Sequence, residues 1–105
     1  MNFLKRLLGG GGRAASDPDG LYFYFRAHQS GEVVQVRLHR YNDLSLSDDG
    51  SQYFAHKGIV GPDTLARMEA DFVFDKKRRL LSCDVQGGKL VTRADYDAYR
   101  AQHNA

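Results

Sequence analysis

The chain has 105 residues, enough for one hydrophobic core and too few for two of useful size. A hydrophobic content of 42%, including six Phe and six Tyr, excludes wholesale disorder. Fifteen basic and thirteen acidic residues leave a formal charge of +2, far from the charge of a dedicated nucleic-acid binder.

Cys83 is the single cysteine, so no intramolecular disulfide can form and a reducing compartment is expected. No apolar run approaches the roughly 20 residues that a membrane span needs. The opening stretch "MNFLKRLLGG" carries Lys and Arg within its apolar part, which is not the pattern of a secretory signal. We therefore expect a cytoplasmic protein.

Residues 1–20 are predicted to form an amphipathic segment followed by a flexible linker. "MNFLKRLL" predicts a short helix whose two cations lie opposite four apolar residues, namely Phe3, Leu4, Leu7 and Leu8. "GGGG" and the polar stretch "RAASDPDG" then predict the linker. The apolar residues could contact an anionic membrane surface or a partner's groove, or the segment could be a tail that packs loosely on its own sheet.

From Leu21 onward, apolar residues recur at every second position, which is typical of strands. Five strands are predicted, in "LYFYFRA", "EVVQVRLHRY", "QYFAHKGIV", "LARMEADFVFD" and "LLSCDVQ". Their inward residues are expected to include Phe23, Phe25, Val34, Val36, Met68, Ala70, Phe72, Phe74, Leu81, Cys83 and Val85. The links are mostly short, so residues 21–105 are predicted to form a mainly β (α+β) domain with a single antiparallel sheet of about five strands.

The stretch "NDLSLSDDGS", between the second and third strands, is rich in turn-forming residues and predicts a loop. At the C-terminus, Thr92 followed three residues later by Asp95 is similar to a capping box and predicts a short helix. Tyr96 and Tyr99 share one face of this helix. We expect the helix to cover part of the apolar face of the sheet, which a single sheet cannot bury by itself.

The first hairpin turn, "RAHQSGEV", has an unusual composition. Pairing Ala27 with Val34 predicts a two-residue loop at Ser30-Gly31, with glycine supplying the positive φ that such loops demand. With cysteine at positions 27 and 30, the same stretch would be a C-x-x-C-G-E knuckle of a zinc ribbon. Because Ala27 and Ser30 stand there, the turn is predicted to form without a metal.

The chain also resembles a group of small uncharacterised bacterial proteins that carry a zinc-ribbon-like R-C-x-x-C-G-E-V turn, then N-D-L-S, then a segment ending in G-G-x-hydrophobic-hydrophobic-T-R-x-x-Y. The shared residues are Arg26, Gly31, Glu32, Val33, Asn42, Asp43, Leu44, Ser45, Gly87, Gly88, Thr92, Arg93 and Tyr96. The chain departs from this pattern at Ala27 and Ser30, so the resemblance implies a related fold in which both knuckle cysteines are replaced. It implies no activity.

The outward face of the first hairpin is a candidate binding surface, formed by Tyr22, Tyr24, Arg26, Arg37 and His39. Aromatic rings interleaved with cations on a sheet are how several domains stack single-stranded bases. The alternative is a cross-strand cation–π pair between Tyr24 and Arg37, which the expected register places opposite each other.

The sequence contains no catalytic motif, and we expect no enzyme activity, cofactor or metal. Pairing Phe72 with Leu81 would set Glu69 opposite Asp84, and a slip of two residues would pair Asp71 with Asp84 instead. Water would screen either acidic pair on an open sheet. The basic run "KKRR" is expected to keep a hairpin tip solvated.

Together these patterns favour a non-catalytic binding or interaction module, a metal-free relative of the zinc-ribbon-like group, whose partner is an unidentified protein. Single-stranded nucleic-acid binding through the Tyr/Arg face is one alternative. Peripheral membrane association through residues 1–8 is the other.

Overall fold

The computed structural model describes residues 17–103, which form seven strands and one helix. The strands are β1 (Gly20–Ala27), β2 (Val33–His39), β3 (Ser45–Leu46), β4 (Tyr53–Val60), β5 (Arg67–Phe74), β6 (Leu80–Gln86) and β7 (Gly88–Val91), and the helix is α1 (Arg93–His103). The five predicted strands are confirmed, and β3 and β7 are short strands that were not predicted. The predicted N-terminal helix lies outside the described residues.

The strands form two antiparallel sheets, so the prediction of a single sheet is wrong. One sheet has the order β2-β1-β7 and the other the order β3-β4-β5-β6. Their apolar faces pack against each other, and the ring of Phe72 on β5 lies 5.1 Å from that of Phe23 and 6.0 Å from that of Phe25, both on β1. Alternation along a strand shows which side chains turn inward. It does not show which strands are hydrogen-bonded neighbours, and that choice separates one sheet from two.

A sharp bend at Gly87 joins the two sheets at one side. β6 ends and β7 begins on either side of this residue, so the chain passes from the four-stranded sheet into the three-stranded one. Gly87 has a φ of 85°, and a Cβ there would lie 2.7 Å from the carbonyl oxygen of Arg67. Only glycine meets both requirements without displacing the backbone.

Helix α1 begins at the predicted cap. The Asp95 N–H donates to Thr92 Oγ1 (3.1 Å), and the Thr92 N–H donates to Asp95 Oδ2 (3.0 Å). Tyr96 and Tyr99 pack against a small cluster that includes Tyr24, on the outer face of the three-stranded sheet. The expected position of the helix is therefore wrong, because the second sheet already covers the apolar inner face.

The inward positions of β5 are confirmed, and those of β6 are confirmed only in part. The β5–β6 pairing has an irregularity between Val73 and Phe74, so that Phe74 pairs with Leu80 while Val73 pairs with Ser82. This bulge buries Leu80 and leaves Leu81 exposed, contrary to prediction.

Among residues 17–103, no helix is long and apolar enough to cross a bilayer.

Candidate functional site

The opening turn of the first hairpin is a four-residue loop, two residues longer than predicted. Its end is closed by a hydrogen bond from the Ala27 N–H to the Glu32 carbonyl (2.9 Å), and the Gly31 N–H donates to the Ala27 carbonyl (2.8 Å). The predicted positive φ of Gly31 is confirmed, at 78°. The register of β1 and β2 is shifted by two residues from the predicted one, so that Tyr22, and not Tyr24, lies opposite Arg37.

Glu32 holds this turn through a set of contacts that we name the Glu32 clamp, made with Ser30, Asp63 and Thr64. Its carboxylate accepts hydrogen bonds from the Asp63 N–H (3.0 Å), the Thr64 N–H (2.9 Å) and the Thr64 hydroxyl (2.6 Å). The hydroxyl oxygens of Thr64 and Ser30 also lie within hydrogen-bonding distance of each other (2.8 Å). The clamp ties the β1–β2 turn to the loop between β4 and β5.

The Glu32 side chain is 1% exposed and is the one buried charged residue of the described chain. Burial opposes its ionisation, but the hydrogen bonds from Thr64 and Asp63 outweigh that effect and lower the pKa of the carboxyl. Gly61 lies against the carboxylate, where a Cβ would overlap it. The alternation that turns Val34 and Val36 inward also places Glu32 inward, and this signal could have predicted a buried carboxylate.

Hydrogen bonds thus hold the turn that was compared with a zinc knuckle. Ala27 is buried, and Ser30 participates in the clamp. Within residues 17–103, no group of three or more His, Cys, Asp or Glu side chains is arranged to hold a metal ion. Burial, with the carboxylates of Asp84 and Asp71, raises the pKa of the Cys83 thiol to about 12, which keeps it protonated at neutral pH.

Helix α1 covers part of the predicted Tyr/Arg face. Tyr24 is 2% exposed and its ring lies 5.2 Å from that of Tyr96. Arg26 donates to the Gly31 carbonyl (3.2 Å), which places its guanidinium at the turn. His39 accepts two backbone N–H bonds in the loop after β2, at 3.1 and 3.2 Å. The face therefore offers one ring fewer to a ligand than the alternation indicates.

Tyr22 and Arg37 are brought together by Asp17. The Arg37 guanidinium binds the Asp17 carboxylate through Nε (2.8 Å) and NH2 (3.1 Å), and the Tyr22 hydroxyl donates to the same carboxylate. These bonds hold the pKa of Asp17 well below its usual range and raise the pKa of Tyr22. The four apolar residues predicted to contact a membrane or a partner, Phe3, Leu4, Leu7 and Leu8, lie outside the described residues.

The acidic pair on the outer face of the four-stranded sheet has the second of the two predicted registers. Asp71 pairs with Asp84, and Glu69 pairs with Gln86. His56 on β4 lies opposite Asp71, with its Nδ1 2.7 Å from Asp71 Oδ1 and its Nε2 3.6 Å from Glu69 Oε1. The hydrogen bond to Asp71 raises the pKa of His56. This group of charges is exposed to solvent.

One cation of the basic hairpin tip has a structural role. Arg78 donates to the Arg40 carbonyl (3.0 Å) and to the Tyr53 hydroxyl (3.1 Å), and its guanidinium lies 4.4 Å from the centre of the Tyr53 ring. Its φ of 63° lies in the left-handed region, which residues other than glycine rarely adopt. The tip is therefore more than the solvated charge that its composition predicts.

A groove of about 340 Å³ lies on the side of the molecule where the two sheets are not joined. It is lined by residues 34–37 of β2 and residues 57–60 of β4, and we name it the open groove. β2 is the end strand of its sheet. On its outer side β4 pairs with β3 at Tyr53 and Phe54, and no described strand continues this pairing further along β4.

The backbone of β2 presents hydrogen-bonding groups to the open groove. Beyond the end of β2, the Arg40 N–H donates to the Asp19 carbonyl (2.8 Å) across the β1–β2 register. In an antiparallel pair, residues whose N–H and C=O groups point toward the partner strand alternate with residues whose groups point away from it. The N–H and C=O groups of Gln35 and Arg37 therefore point away from β1.

The same alternation applies to β4. The Gly61 N–H donates to the Ala66 carbonyl (2.8 Å) in continuation of the β4–β5 register. Because Gly61 points its N–H toward β5, Ile59 does the same, and the residues between them point away. The N–H and C=O groups of Gly58 and Val60 therefore point away from β5. Each side of the open groove is thus a strand edge with unpaired backbone donors and acceptors among the described residues.

The residues that line the open groove are mostly apolar and include two cationic residues, Lys57 and Arg37. Val34, Val36 and Ile59 are buried at its base. Lys57 is half-buried, and no ion pair or hydrogen bond joins its ammonium group to any residue of the described chain. Gln35 contributes its backbone to the groove, because its side chain lies on the opposite face of β2 from Val34 and Val36.

One feature of the sequence could have predicted the open groove. The inward positions of β4 are Tyr53, Ala55 and Ile59, and this spacing places Lys57 inward as well. A charged residue at an inward position of a strand is expected at an edge, where its charge can reach solvent or a partner. Gly58 beside it is exposed, and a Cβ there would meet open space.

Comparison of the chain with protein-family models, with curated proteins and with solved structures finds no significant match.

Proposed function

We propose that the protein is a non-catalytic binding module that takes up an extended segment of a partner protein by strand addition in the open groove. The observation that carries the proposal is the asymmetry of the fold. The two sheets are joined at Gly87 on one side, whereas the free edges of β2 and β4 face the open groove on the other. A strand added there would pair with backbone that is otherwise unpaired in the described chain.

The composition of the open groove supports a peptide as the occupant. Its apolar base would receive every second side chain of an extended segment, and the strand edges would bind the backbone between them. The backbone hydrogen bonds would supply affinity, and the apolar contacts would fix the register of the added strand. Nucleic acid offers no strand-like series of donors and acceptors, so the edges of β2 and β4 would be left without a role.

The proposal keeps the interaction module predicted from the sequence and assigns its surface to a different part of the molecule. Relationship to the zinc-ribbon-like group, nucleic-acid binding through the Tyr/Arg face and membrane association through residues 1–8 remain predictions. The Glu32 clamp supports the module indirectly, because it holds the loop that follows β4 and so fixes the end of one groove edge.

The test uses Gly58, whose N–H points into the open groove. Gly58→Pro removes this donor and places a ring on the edge, a substitution that edge strands tolerate. Gly58→Ala keeps the N–H and is the matched control. A phage-displayed library of random peptides, about eight residues long to match β4, is selected against the wild-type protein.

Selected peptides are expected to bind the wild type and Gly58→Ala alike, and to bind Gly58→Pro about tenfold more weakly or not at all. Circular dichroism and thermal melting show whether both variants retain the fold. Failure to select any peptide, or equal binding to Gly58→Pro, would refute strand addition. A labelled single-stranded oligonucleotide measured in the same assay tests the nucleic-acid alternative directly.

A further inference from the structure

We infer that the open groove is specific for acidic peptides, with the Lys57 ammonium binding an Asp or Glu side chain that points inward from the added strand. This inference rests on the proposed strand addition and goes further, because it names the chemistry of the ligand. It starts from one observation. Lys57 lines the groove half-buried, and no carboxylate of the described chain neutralises it.

The remaining charge of the open groove has the same sign. Arg37 also lines it, and none of its eight lining residues is acidic. Arg37 already holds the Asp17 carboxylate in a two-pronged contact at 2.8 and 3.1 Å. The charge of Arg37 is therefore already neutralised by Asp17, whereas Lys57 has no carboxylate partner in the described chain. Complementary charge would steer an acidic segment toward the site.

Register predicts the pattern that the ligand carries. A strand beside β4 places one residue opposite Ile59 and another, two positions away, opposite Lys57, both pointing inward. The residue between them lies opposite Gly58, where no side chain restricts it. The ligand is therefore expected to contain an apolar residue and an acidic residue separated by one position of any type.

A second copy of this chain does not supply that pattern through its own groove edge. Residues 55–60 of β4 contain no carboxylate, so pairing two β4 edges would place two Lys57 ammonium groups in one groove without a counter-charge. Inward-pointing charges on edge strands disfavour such self-pairing. The occupant is a segment of a different protein.

The experiment uses three synthetic peptides with capped ends. The parent peptide is Thr-Val-Thr-Asp-Thr-Val-Thr, which carries the pattern in either strand direction, and the other two have Asn or Lys in place of Asp. Each peptide is titrated by calorimetry against the wild type, Lys57→Met and Lys57→Glu. Lys76→Met, at the exposed hairpin tip, removes the same charge away from the groove and is the matched control.

The wild type and Lys76→Met are expected to bind the Asp peptide roughly fivefold to tenfold more tightly than the Asn peptide. In Lys57→Met the two peptides bind alike, and Lys57→Glu prefers the Lys peptide. Titration of Gly58→Pro with the Asp peptide separates the two proposals. Loss of binding there with no charge preference in the wild type would refute the acidic ligand and leave strand addition standing.

Two further outcomes would overturn the inference. A preference for the Asp peptide that persists in Lys57→Met would show that the net charge of the chain, and not Lys57, selects the ligand. Sedimentation of the unliganded protein tests the remaining occupant. A dimer that Gly58→Pro dissociates would assign the groove to a second copy of the chain and remove the peptide from it.

Discussion

Removing the buried carboxylate of Glu32 tests whether hydrogen bonds alone hold the turn of the first hairpin. In Glu32→Ala, the Asp63 N–H and both donors of Thr64 lose their acceptor. An orphaned buried donor costs about 1–3 kcal/mol. Asp63 and Thr64 are exposed as residues, so water can reach the vacated site and the loss falls short of three full penalties. We expect the free energy of unfolding to fall by about 2–4 kcal/mol.

Glu32→Gln separates charge from shape. The amide keeps one acceptor oxygen but turns an NH₂ group toward a backbone N–H, so the expected loss is smaller, about 1–2.5 kcal/mol. The matched control is Glu69→Gln, which neutralises an exposed carboxylate and should change stability by less than about 0.5 kcal/mol.

The pH dependence supplies a second readout. The folded state lowers the pKa of Glu32, so its stabilisation is present above the ordinary glutamate pKa of about 4.3 and is lost as the pH falls through the folded value. Glutamine has no such dependence. The difference in stability between the wild type and Glu32→Gln should therefore be largest at neutral pH and shrink on acidification.

Urea denaturation followed by circular dichroism measures these differences, since the chain has no tryptophan to report unfolding. The Glu32→Ala variant should also melt more than about 8 °C below the wild type. If Glu32→Ala were as stable as Glu69→Gln at neutral pH, the clamp would contribute nothing measurable, and the reasoning from its buried donors would be wrong.

Substitutions at three further positions test other parts of the fold. NMR titration should give His56 a pKa above the ordinary 6.5, and Asp71→Asn should return this pKa toward 6.5. The stabilisation from the His56–Asp71 hydrogen bond is present below the pKa of the unfolded state and is lost as the pH rises through the pKa of the folded state. Gly87→Ala should cost more than about 1 kcal/mol by denaturation, because its φ of 85° and the nearby Arg67 carbonyl both oppose a Cβ. Thr92→Ala should cost about 1 kcal/mol and reduce helical dichroism, whereas Thr92→Ser should retain most of both.

The alternation of apolar and polar residues determined much of the local structure of this protein. It predicted five strands and the inward side of β5, because a strand that buries one face must carry apolar residues at every second position. Thr92 and Asp95 predicted the start of α1, since capping bonds join residues only three positions apart. Gly31 predicted the positive φ of the first turn.

Only the tertiary structure decided how these elements combine. The register of β1 and β2 slipped by two residues from the predicted one, because such a slip leaves the same side chains inward and alternation cannot detect it. The division into two sheets, the position of α1 and the open groove depend on contacts between residues distant in the chain. Glu32 is the clearest case, since its donors lie 31 and 32 positions away and no local pattern connects them.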